Sequence, residues 1–137
     1  MAIGPLRAEV VMSGIPDDGI VPRPTAELHA RVAAASQLAH RVQLVRLGED
    51  LPGLLADLRT TAAYGDDSLA PEIQAMLAET WGNARMIARV LGYPDLAQSM
   101  AERYAQAAGL SGDRHAVAIG ASLRAAELIQ ADQGQAA

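Results

Sequence analysis

Apolar residues recur at helical spacing along most of this chain. After Thr25 the positions Leu28, Val32, Ala35, Ala39 and Val42 are separated by four, three, four and three residues, the stripe of one helix face. Leu38, Leu44 and Val45 widen that stripe, predicting a helix covered on more than one side. Thr25 is the candidate N-cap and Glu27 suits the first turn, where the helix dipole favours an acid. Leu47-Gly48 predicts the stop, with Gly supplying a left-handed cap. A second helix is expected from about Leu51 to Ala63, with Leu51, Leu54, Leu55 and Leu58 on one face and Pro52 tolerated in its first turn. Tyr64 to Ser68 reads as a turn, and Asp67 or Ser68 offers the next cap.

A third helix is predicted from about Leu69 to Leu91. It carries Ile73, Met76, Leu77, Thr80, Trp81, Ala84, Ile87 and Ala88 at core spacing and would span roughly 30 Å at 1.5 Å rise per residue. Gly82 in its interior costs about 1 kcal/mol relative to Ala, so a close helix crossing or the approach of a ligand is expected there. The chain then folds back at Leu91-Gly92-Tyr93-Pro94 into a fourth helix, ending at Gly109, that buries Leu96, Met100 and Tyr104. Ser111-Gly112-Asp113 forms a turn and cap before a fifth helix from about Arg114 to Ala131. Before all of these, residues 1–24 hold Gly4, Pro5, Gly14, Pro16, Gly19, Pro22 and Pro24, which argue against helix. The expected organisation is a flexible arm or linker at 1–24, in which Ala8 to Met12 could pair as a strand, a helical domain at 25–132, and a frayed tail at 133–137.

The stretch Leu47-Gly48-Glu49-Asp50-Leu51 is echoed 44 residues later by Leu91-Gly92-Tyr93-Pro94-Asp95-Leu96. Both read as helix, glycine stop, acid and new helix. The period lies near that of the two-helix repeats of α-solenoids. The fold class that follows is all-α, with about five helices in antiparallel hairpins.

Composition narrows the functions available. Half of the 137 residues are apolar, yet Phe is absent and only one Trp and three Tyr are present, so the core must pack through Ala, Leu, Val and Ile. With no Cys, disulfides, thiolate chemistry and cysteine zinc sites are excluded. The net charge is −5 and all eleven basic residues are Arg, scattered singly. A nucleic-acid surface needs clustered positive charge, so direct nucleic-acid binding is not expected. No signal peptide and no run of about 18 apolar residues occurs, and a cytoplasmic protein without membrane contact is expected.

The combined pattern resembles a known family. Leu47, Gly48, Leu51, Pro52, Leu54, Leu55 and Leu58, then Leu91, Gly92, Asp95, Leu96, Ala97, Ala101, Glu102, Arg103, Ala107, Ala108, Ser111, Gly112 and Asp113, are similar to the C-terminal, tetratricopeptide-like sensor region of actinobacterial Xre-type transcriptional regulators. The likeness spans about Pro24 to Ile129. It implies a tetratricopeptide-like, solenoid-like fold and a role in sensing a ligand or partner, with a homodimer as the expected assembly. Family members place a helix-turn-helix domain before this region, and residues 1–24 do not supply one.

Trp81 and Arg85 are four apart and share a helix face, and Tyr104 lies on the helix that folds back against them. Together with His115, in the first turn of the last helix, they are the candidate ligand-binding residues: rings for stacking and a guanidinium for an anion. The alternative is that Trp81 and Tyr104 are the bulky core of an Ala-rich bundle. His29 and His40 are separated by about 16 Å of helix, so no metal site is expected within one subunit. The acidic pairs Asp17-Asp18, Glu49-Asp50 and Asp66-Asp67 fall in linkers or turns and serve capping and solubility. No GxSxG, P-loop, GxGxxG or HExxH arrangement occurs, so no catalytic residue or cofactor is assigned. Three functions stay open: a ligand- or partner-sensing regulatory domain, a helical scaffold or oligomerisation module, and, last, a small helical enzyme.

Overall fold

The computed structural model describes residues 3–12, 15 and 21–136, the last three of these as backbone only. Among the described residues six helices make up the architecture: α1 (Gly4–Met12), α2 (Thr25–His40), α3 (Leu44–Tyr64), α4 (Ala70–Val90), α5 (Pro94–Ser111) and α6 (Arg114–Ala136), with a 3₁₀ turn at Asp67–Leu69 before α4. No strand occurs among the described residues. The fold is all-α, with one helix more than the sequence pattern predicts.

The additional helix is α1. Eight consecutive residues between Pro5 and Gly14 are neither Gly nor Pro, and Pro5 falls in the first turn, where its missing N–H costs nothing. Leu6 enters the core with no exposed surface. Burial of that kind of side chain, worth about 1.5–3 kcal/mol, holds a helix too short to persist alone. The extended-arm expectation therefore fails for Gly4–Met12, as does the strand at Ala8 to Met12. Of the rest of the expected arm, residues 21–24 carry no helix or strand, while Gly14, Pro16, Asp17, Asp18 and Gly19 lie outside the described residues. At the other end the expected frayed tail is the last turn of α6, which runs to Ala136, and Ala137 lies outside the described residues.

The α2–α3 boundary also differs. Gly48 and Pro52 do not stop or start a helix: both lie inside α3. The stripe Leu47, Leu51, Leu54, Leu55 and Leu58, all buried, runs through them without a break in period. Its packing outweighs the donor that Pro52 removes from the helix ladder. The actual joint is Arg41-Val42-Gln43. Val42 takes φ 56°, donating to the Ala39 carbonyl at 3.1 Å while Gln43 N–H reaches the Leu38 carbonyl at 2.9 Å. The same bonds close the α4–α5 joint, where Gly92 has φ 81°, donates to Arg89 at 3.1 Å, and Tyr93 N–H reaches Ala88 at 2.8 Å. This is the Schellman arrangement. The echo between the joints is therefore present in the backbone, but at a spacing of 50 residues, Gln43 matching Tyr93.

Smaller corrections concern the caps. Pro24, not Thr25, occupies the N-cap of α2. Asp66 caps the 3₁₀ turn by accepting from Ser68 N–H at 2.9 Å. Helix α5 continues past Gly109 to Ser111 and ends in the left-handed Gly112, after which Asp113 caps α6 through His115 N–H at 2.9 Å.

Short connections reverse each of α2 to α5 against its neighbour. Helices α4 and α5 form the most extensive pair, with α3 and α2 on one flank of α4 and α6 laid on α5. The core lies between them and is built from Leu28, Leu47, Leu51, Leu58, Ile73, Ile87 and Met100. Helix α1 caps α3 and α5.

Candidate functional site

The α4–α5 hairpin has two flanks, and side chains of the same kinds are arranged differently on each. On one flank, α1, α3, α4 and α5 enclose an open groove of about 730 Å³. Trp81 and Leu77 of α4, Leu55 of α3 and Ala107 and Leu110 of α5 give it apolar walls. Trp81 keeps only 5% of its surface exposed, so it is both core and groove wall.

The polar groups gather at the α1 end. Arg59, one turn beyond Leu55, is buried and donates from Nη1 to Glu9 Oε2 at 2.6 Å. Arg103, between Met100 and Tyr104 in sequence, points to the same end of α1. Its Nη2 lies 3.5 Å from the Val10 carbonyl and its Nη1 3.4 Å from Gln106 Oε1, both at the limit of a hydrogen bond. Its Nε–H is buried and has no hydrogen-bond partner among the described residues. Helix α1 is fixed there by Arg7, which pairs with Asp95 at 3.2 Å and lies over the Tyr93 ring at 5.8 Å.

The opposite flank is closed by α6. Arg85 and Arg89 of α4 both donate to Glu127 Oε1 of α6, at 2.7 and 3.1 Å, and that carboxylate is 2% exposed. The Tyr104 ring fills the space between three helices. A Cβ on Gly82 would stand 3.3 Å from it, and one on Gly120 would stand 3.3 Å from the ring and 3.1 Å from Ala105 Cα. The close approach expected at Gly82 is thus to Tyr104. Burial raises the Tyr104 hydroxyl above its ordinary pKa, with the Glu79 and Asp113 carboxylates adding to the effect.

The four residues singled out from sequence are consequently not gathered in one place. Trp81 lines the groove, Arg85 is turned to Glu127, Tyr104 is packed beneath Gly82 and Gly120, and His115 is exposed at the start of α6. The groove residues that sequence reasoning passed over are Glu9, Arg59, Arg103 and Leu110. Arg59 and Arg103 each sit at core spacing from buried neighbours, a signal available in the pattern. Glu9 lies in the segment expected to be an arm.

A second, smaller hollow of about 330 Å³ between α2 and α4 holds His29 paired with Glu72. Among the described residues no three His, Asp or Glu side chains converge as metal ligands, and no helix is long and apolar enough to cross a membrane. No protein-family model matches the chain, and neither does a curated protein or a solved structure.

Proposed function

We propose that this chain is a sensing domain that takes a ligand into the groove between α1, α3, α4 and α5. One observation carries the reading: a groove of about 730 Å³ in which an indole wall meets Arg59 and Arg103. A mostly apolar concavity with a few convergent polar groups is the usual form of a small-molecule site. The resemblance to the C-terminal region of Xre-type regulators supports a regulatory role. The matched joints at Val42 and Gly92 support a tetratricopeptide-like origin for the α2–α3 and α4–α5 hairpins. In this reading the ligand acts on α1, which closes one end of the groove and carries Glu9.

Trp81 is the only Trp, so its fluorescence reports the groove without labelling. Thermal-shift screening against bacterial metabolites should yield compounds that raise the melting temperature and shift Trp81 emission together. A screen in which none does both would remove the reading.

A second reading, a homodimeric or scaffolding module, is favoured by α6. Its outer face exposes Val117, Leu128 and Ile129, while its other face packs on α5. Light scattering tests it directly: a mass that stays that of one chain across concentrations would exclude self-association.

A further inference from the structure

The groove is asymmetric along its length, and the asymmetry defines a chemical class of ligand. Helices α3 and α5 run in the same direction, so Arg59 and Arg103 mark one end and Ala63 and Leu110 the other. From Arg103 to Leu110 the groove extends roughly 10 Å at helical rise. Beyond the two guanidiniums its lining is mostly apolar, with Gln74 and Gln106 as further polar residues, and it ends beside the exposed Leu110.

At the charged end Arg103 is the group left wanting. A guanidinium offers five donors in a planar fork suited to a carboxylate. Here its Nε–H is buried and unpaired among the described residues, and its two other contacts are long. A buried donor left unsatisfied carries a desolvation penalty, and because the other two contacts are long, a small turn of the guanidinium would bring that donor to an acceptor in the groove. Glu9, paired with Arg59, lines the same end and offsets one of the two guanidinium charges. The end therefore suits an anion of a single charge better than a phosphate dianion.

We propose that the groove binds an amphipathic monocarboxylate, its head forked onto Arg103 and its unbranched or aromatic body along Trp81, Leu77, Ala107 and Leu110. This rests on the sensing reading above and names the ligand class for that site. Gly109 gives the means to block it, since a Cβ there meets nothing within 4 Å and the residue lines the groove.

The test is calorimetric titration of the full chain, with Trp81 emission in parallel, using decanoate, decanol, decyltrimethylammonium and inorganic phosphate below micelle-forming concentrations. Decanoate should bind saturably and about ten- to a hundredfold more tightly than decanol, the worth of a charge-assisted bond. Arg103→Gln should erase that difference, Arg103→Lys should keep only part of it, and Gly109→Leu should weaken decanoate and decanol alike. Arg124→Gln, on the surface of α6, should change nothing, and circular dichroism melts verify that each variant is folded. Equal binding of decanol and decanoate would overturn the carboxylate class while leaving the groove as a ligand site. Phosphate binding as tightly as decanoate would overturn the amphipathic class. Failure of every probe while a screened metabolite shifts Trp81 would overturn the class alone. Failure of both would remove the class and the sensing reading together.

Discussion

The two flanks of the α4–α5 hairpin differ in how completely their charges and volumes are matched. On the α6 flank, two guanidiniums meet on one oxygen of the buried Glu127, and glycines at 82 and 120 let the Tyr104 ring fill the crossing. On the α1 flank, the groove keeps open volume beside Trp81, and the Arg103 Nε–H has no partner among the described residues. The lesson is that similar residue types are fully matched where a long helix closes over them and keep open volume and an unmet donor where only the short α1 reaches. Two arginines on a hairpin do not declare their role by type. Their role follows from what lies opposite.

The largest effects are expected on the closed flank. Glu127→Ala leaves two guanidiniums facing each other. It should cost about 2 kcal/mol of stability in urea denaturation, less than the 3–5 kcal/mol typical of a fully buried pair because water reaches both arginines. Gly120→Val places methyl groups against Ala105 Cα, already 3.1 Å from an added Cβ, and should cost a similar ~2 kcal/mol by overpacking. The open flank should respond differently. Gly109→Ala removes a helix-interior glycine with space around it, and the urea midpoint should rise by about 0.5–1 kcal/mol equivalent. If Gly109→Ala destabilises as Gly120→Val does, the two flanks are packed alike and the contrast fails.

The joints provide a milder test. Val42 is β-branched and held at φ 56°, where Gly92 stands in the matching joint. Such a conformation costs a branched residue of order 1–3 kcal/mol, partly offset by the greater chain entropy that glycine loses on folding. Val42→Gly should therefore stabilise by about 1 kcal/mol in thermal denaturation, and a loss of stability would mean that the two joints are not equivalent.

The smallest effects concern pH. The Arg23 guanidinium bonded to Glu27 holds that carboxyl below its ordinary value. The Ser68 N–H does the same for Asp66, and Arg7 for Asp95. Each folded-state pKa is depressed, so the unfolded chain takes up protons first as acid is added. The stability these groups contribute is complete above the unfolded values, 4.5 for Glu27 and 3.8 for Asp66 and Asp95, and fades as pH falls through the lowered folded ones. Asp66 and Asp95 are exposed and Glu27 is partly so, so the acid-side slope of stability should be shallow, and Asp66→Asn should make it shallower without losing the cap acceptor.

Much of the fold was legible because periodicity survives local punctuation. The stripes of α4 and α5 and the glycine joint at Gly92 are plain in the sequence. The α2–α3 joint was misplaced because Gly48 and Pro52 resemble a stop and a start, whereas Val42, at the turn itself, carries no turn signal. Tertiary packing of Leu47, Leu51 and Leu54 decided the matter. Helix α1 was missed because the burial of Leu6 and the ion pairs of Arg7 and Glu9 all depend on a surface made by distant residues. Of the groove, one wall was legible. Trp81 stood out by rarity and does line the groove, but no local pattern separates Arg85, which meets Glu127 42 residues away, from Arg103, which does not meet a carboxylate among the described residues.

Titration of decanoate while following Trp81 emission, in the parent chain and in Arg103→Gln, tests the central contrast most directly. A saturable spectral shift in the parent chain, weakened at least about tenfold in the variant, is the result predicted if the half-buried Arg103 guanidinium takes the ligand's carboxylate. An unchanged spectrum in both proteins, or the same affinity in both, would contradict it.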